Sequence, residues 1–152
     1  MRRFRFALQK VLELREHVEA EAKIELGRAM GALNLIEQRI KTVAEQRNNA
    51  VAERFAPGRD FSEMQNYERY IVRLDQTKEK LLKDASLAEL DVAEKRDIYL
   101  EAARDRKVLD KVKERRTGEY RKEALAEENK ELDEVAGRLL QRSSPRMRDR
   151  EG

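Results

Sequence analysis

Residues 71–109 read IVRLDQTKEKLLKDASLAELDVAEKRDIYLEAARDRKVL, and the spacing within them decides the fold. One series steps by three and four residues through Ile71, Leu74, Lys78, Leu81, Ala85, Ala88, Val92, Lys95, Tyr99, Ala102, Arg106 and Leu109. Nine of these twelve positions are apolar or tyrosine, and the residues between them are mostly charged. A narrow apolar stripe recurring every ~3.5 residues is a coiled-coil seam, not the broader face of a globular helix. Around it, residues 62–140 contain no proline and are rich in Ala, Leu, Glu, Lys and Arg, all strong helix formers. The spacing predicts one long helix over 62–140, and a helix with such a seam requires a partner.

The partner lies upstream. Residues 4–55 read as a first helix, with Phe4, Leu8, Val11, Val18 and Ala22 in 4-3 spacing and Arg15 in the slot between. Leu26, Ala29, Leu33, Ile36, Ile40 and Val43 continue the series. Two successive steps of four between Val18 and Leu26 predict a stutter that locally unwinds the supercoil. Gly27 and Gly31 fall there and read as tolerated helix positions, since their flanks are charged. Ala56-Pro57-Gly58-Arg59 then breaks the helix, and residues 56–61 are expected to form a turn. Just after it, Asp60 with Glu63, or Ser62 with Gln65, has the spacing of a capping box.

A helix, a short turn and a longer helix give an all-α fold: a long antiparallel two-helix coiled-coil hairpin with an extended C-terminal helix. With the turn centred near Gly58, residue i of the first helix faces roughly residue 116 − i of the second. Val43 then lies near Leu74, Ile36 near Leu81 and Leu8 near Leu109. Phe4 runs out near Val112, so residues 117–140 are expected to overhang without an intrachain partner. They carry a sparse stripe of Leu125, Leu132, Val135 and Leu139, and Gly118 marks a place to bend. Residues 141–152 read as a disordered tail.

Composition excludes a thick core. Charged residues make up 43% and aromatics 5%, with two prolines and no tryptophan, which is the long-helix profile. No cysteine is present, so disulfides and thiolate metal sites are excluded. The single histidine, His17, makes no metal site alone. Neither a glycine-rich phosphate loop nor a nucleophile motif occurs, and two helices offer no cavity for a small substrate. The chain is expected to be a non-enzyme with no cofactor, no transmembrane segment and a cytoplasmic location.

Charge is patterned even though the net charge is only +3. Residues 104–122 hold nine basic and four acidic side chains, whereas 123–134 hold one basic and six acidic. The basic block allows an alternative reading as a nucleic-acid-binding coiled coil, opposed by the interleaved Asp105, Asp110, Glu114 and Glu119. Membrane docking by the basic, Phe-containing N-terminus is opposed by Glu13, Glu16, Glu19 and Glu21. Phe55, Phe61, Tyr67 and Tyr70, half of the eight aromatics, crowd the turn. Some must close its tip, and the rest could form an exposed patch.

The opening Phe4-Arg5-Phe6-Ala7-Leu8-Gln9-Lys10-Val11-Leu12-Glu13-Leu14-Arg15-Glu16 resembles the start of the FliJ family of the bacterial flagellar type III export apparatus. Ala103-Arg104-Asp105-Arg106-Lys107-Val108-Leu109-Asp110-Lys111-Val112-Lys113-Glu114-Arg115 is similar to a later family segment, and Lys130-Glu131-Leu132-Asp133-Glu134-Val135-Ala136 to its ending. The resemblance covers residues 4–140. It implies a non-enzymatic stalk, similar to the central stalk of rotary ATPases, that serves flagellum biogenesis. Such a protein binds the hexameric export ATPase, promotes its assembly, and contacts the membrane export gate and export chaperones. It implies peripheral association with the inner-membrane export apparatus, and the free chain is expected to be a monomer. On this reading Phe4, Phe6, Arg115, Arg116, Arg121, Lys122, Leu125, Leu132 and Leu139 would meet the ATPase. Tyr67, Tyr70 and Leu74 would meet the gate. A virulence-type secretion stalk or a rotary ATPase stalk proper is the alternative within the same class.

Overall fold

The structure, a computed structural model, describes residues 3–144; the tail expected at 141–152 begins inside the second helix, which includes residues 141–143, and from 145 onward it lies outside the described residues. Two helices account for nearly all of them: α1, Gln9–Glu53, and α2, Phe61–Ser143. They pack against each other as an all-α coiled-coil hairpin whose second helix is extended. Two compact units can be distinguished, one of Leu14–Arg106 and one combining Met1–Glu13 with Lys107–Gly152.

In the unit of Leu14–Arg106, Val43, Leu74 and Leu81 form a buried cluster against which Ile36, Ile40 and Tyr70 pack. All twelve seam positions of α2 from Ile71 to Leu109 are buried or half-buried, including Lys78, Lys95 and Arg106. The seam of α1 differs from expectation. Val11 and Val18 are exposed, whereas Leu12 is buried and Glu19 half-buried. The less exposed line therefore steps Leu8, Leu12, Glu19, Ala22, Leu26 and onward, with exposed Arg15 in the slot between Leu12 and Glu19, and the 4-3 alternation has no stutter. Ion pairs explain the shift. Arg106 grips Glu19 through Nε to Oε2 and through Nη2 to Oε1 at 3.3 Å, and Arg15 meets Asp105 at 2.8 Å. A charged residue can occupy a seam slot when a paired, hydrogen-bonded partner stands across it.

The turn follows from its sequence. Arg59 N–H donates to Ala56 C=O at 3.3 Å across Pro57 and Gly58, and Gly58 has φ 86°. Proline followed by a glycine with positive φ is the pattern of a type II turn. Glu63 N–H donates to Asp60 Oδ1 at 2.7 Å, and Asp60 N–H to Glu63 Oε2 at 3.2 Å. Of the two possible capping boxes, the chain uses Asp60 with Glu63.

The apolar seam follows the 116 − i rule, since Val43, Leu74, Leu81 and Ile36 share one cluster, but the polar contacts across the hairpin are offset from it. Arg54 meets Glu68, Arg47 meets Asp75, and Tyr67 Oη donates to Glu53 at 3.2 Å, so the paired numbers add to between 120 and 122. Side chains lean toward the N-terminus of their own helix, so a contact at one level joins residues whose Cα atoms lie further along both helices. Long Arg and Glu side chains extend that lean.

Candidate partner-binding surfaces

In the unit that combines Met1–Glu13 with Lys107–Gly152, helix α1 begins at Gln9 and not at Phe4. A continuous helix would set Phe4 and Phe6 about 200° apart, so both could not face α2. Breaking the helix before Gln9 lets both do so. The rings of Phe4 and Tyr120 lie 5.4 Å apart, and the Arg116 guanidinium sits 5.7 Å from the Phe6 centroid. Phe6 is buried, and Leu12 is 2% exposed. The overhang therefore starts later than expected, because Thr117, Gly118, Tyr120 and Ala124 are still half-buried. Tyr120 is the residue that the sequence reading missed. It was legible as the lone aromatic of the expected overhang.

From Leu125 to Ser144 every residue is exposed. Leu125, Leu132 and Leu139 are 59%, 60% and 59% exposed, and Val135 and Leu140 extend the stripe. The helix is two-sided here. At ~100° per residue, Glu123, Glu127, Glu131 and Glu134 share one arc, and Leu125, Leu132 and Leu139 lie roughly opposite. Arg115, Arg116, Arg121 and Lys122 are exposed just before the stripe, Arg116 while reaching over Phe6. Of the nine residues expected to meet the ATPase, seven thus present surface. Phe4 and Phe6 hold the N-terminal segment on α2.

At the turn, Leu74 is 7% exposed within the core, and Tyr70 packs against that core. Tyr67 is half-buried, hydrogen-bonded to Glu53 and covered by the Arg59 guanidinium 4.7 Å from its centroid. These three residues close the hairpin. The open aromatic surface belongs instead to Phe55, 65% exposed with the Arg54 guanidinium 4.4 Å from its centroid, and to Phe61, 74% exposed.

Among the described residues, no group of His, Asp or Glu is arranged to hold a metal ion. None of the described helices is long and apolar enough to cross a membrane. The arrangement defines a helical coiled-coil scaffold with an unpaired helical extension and an aromatic turn. The model of a family described as the flagellar FliJ protein matches residues 4–145, and the chain belongs to the FliJ family. It is thus a flagellar-export-related protein. Comparison with curated proteins and with solved structures gives no match.

Proposed function

We propose that the chain is a non-enzymatic stalk and adaptor of the flagellar export apparatus, and that its open end engages the hexameric export ATPase. The observation that carries this reading is the exposed leucine stripe at 125–139 on a helix that has outrun its intrachain partner. Isolated helices lack the tertiary burial that offsets nucleation, so a segment of this kind gains most from a surface supplied by another protein. Membership in the family supports a ring ATPase as that surface. The preceding cations Arg115, Arg121 and Lys122 would set orientation by charge complementarity. The turn end would face the export gate through Phe55 and Phe61, and adaptor binding of export chaperones completes the role.

The test is a pull-down of the export ATPase with the full chain and with its L125Q/L132Q/L139Q variant, together with ATPase stimulation. All three side chains are exposed, so folding should be retained. Loss of binding by the variant is expected. Undiminished binding would remove the stripe from the contact.

A further inference from the structure

The charge on α2 is sorted by face as well as by segment. At ~100° per residue, one arc of roughly 120° carries Lys107, Lys111, Arg115, Arg121 and Lys122, and the same arc continues into Leu125, Leu132 and Leu139. Glu114 and Asp133 are its only acidic members over residues 107–143, with Asp110 and Glu128 bordering it about 20° beyond its edge on the leucine side. All five cations and all three leucines are exposed. The contacts to the N-terminal segment lie elsewhere on the helix, around Thr117, Tyr120 and Ala124. The acidic residues Glu123, Glu127, Glu131 and Glu134 occupy the arc roughly opposite the leucines.

From this juxtaposition we propose that the outward face of 107–139 docks on an anionic membrane surface. The five cations would lie against lipid headgroups and the leucines would enter the acyl boundary. One-sidedness selects this occupant. A membrane meets only one face of a helix, so the acidic arc can remain in water while cations and leucines are both engaged. A nucleic acid would use the cations but leave the leucines without a partner. It would also find no aromatic on this face for stacking, because Tyr120 is turned toward Phe4. Binding of an interfacial helix grows with buried apolar area and with attraction to anionic lipid, and this face supplies both. The inference goes beyond the ATPase reading and does not depend on it. Because both use this arc, lipid and ATPase would exclude each other.

Co-sedimentation of the full chain with vesicles, without ATPase, tests it. Vesicles of phosphatidylcholine alone are compared with an equal mixture of phosphatidylcholine and phosphatidylglycerol, at low and high salt. The chain should bind the mixed vesicles, weakly at high salt, and ignore the neutral ones. K107Q/K111Q/K122Q should lower the partition coefficient by on the order of 100-fold, at about one tenfold step per 1.4 kcal/mol and ~1 kcal/mol per cation. L125S/L132S should also weaken binding. K41Q/K80Q/K83Q, which removes three exposed lysines elsewhere, should leave it within a few-fold. Circular dichroism confirms that each variant is folded. Equal loss from the two lysine sets would reduce the effect to net charge and overturn the proposal, as would equal binding to neutral vesicles. Binding of an RNA oligonucleotide as tight as vesicle binding, with both indifferent to L125S/L132S, would identify a polyanion surface instead.

Discussion

Replacing Glu19 with alanine strips the carboxylate from a seam slot and leaves the Arg106 guanidinium without its two acceptor oxygens there. Their side chains are 16% and 27% exposed, so water screens the pair only in part. Hydrogen bonds to charged groups contribute about 1.5–3 kcal/mol, and the residual exposure places Glu19→Ala near the lower end, about 1.5–2 kcal/mol. Val18→Gln, at a position 44% exposed, should change stability by less than ~0.5 kcal/mol. E19L/R106L replaces the pair with apolar side chains in register and should equal or exceed the parent, since such replacements are often neutral or stabilising by ~1–4 kcal/mol. Urea unfolding followed by far-UV circular dichroism measures all three. Should Val18→Gln prove the more damaging, the seam runs through Val18, and the unbroken 4-3 line through Glu19 is wrong. A double variant weaker than Glu19→Ala alone would refute the packing argument for that slot.

Three further outcomes follow from burial and turn geometry. Leu12→Ala, at the most enclosed side chain described, should cost about 2–4 kcal/mol in the same assay, because little of the cavity can collapse. Leu81→Asp puts a charge into the Val43–Leu74 cluster and should cost several kcal/mol, whereas exposed Glu79→Gln should shift the urea midpoint hardly at all. Asp60→Ala removes the cap at the start of α2 and should cost about 1 kcal/mol, and Asp60→Ser should recover most of that loss.

The fold was legible because its signals are local and repeated. The twelve-position seam of α2 could be written from spacing alone, and Pro57-Gly58 fixed the turn. What escaped the sequence reading was relational. Glu19 looked like a surface acid until Arg106, itself a seam residue, stood across from it. Arg106 at a seam position was the available hint that α1 had to supply a carboxylate. The start of α1 escaped for a similar reason. Phe4 fits helical spacing, and only the demand that Phe4 and Phe6 both reach α2 breaks the helix. That in turn moved Tyr120 out of the overhang. On the surface, the sparse leucine stripe of the sequence lies exposed along α2. Nearness to the turn marks core as readily as surface, and Leu74 lies in the core.

The claim that the extension of α2 is the ATPase-binding element is tested most directly by site-specific photocrosslinking in flagellated cells. A photoreactive residue at position 132 is compared with one at 87, where Leu87 is 67% exposed on the same helix. The account predicts a crosslink from position 132 to the export ATPase and none from position 87. A crosslink to the ATPase from 87 and not from 132 would contradict it.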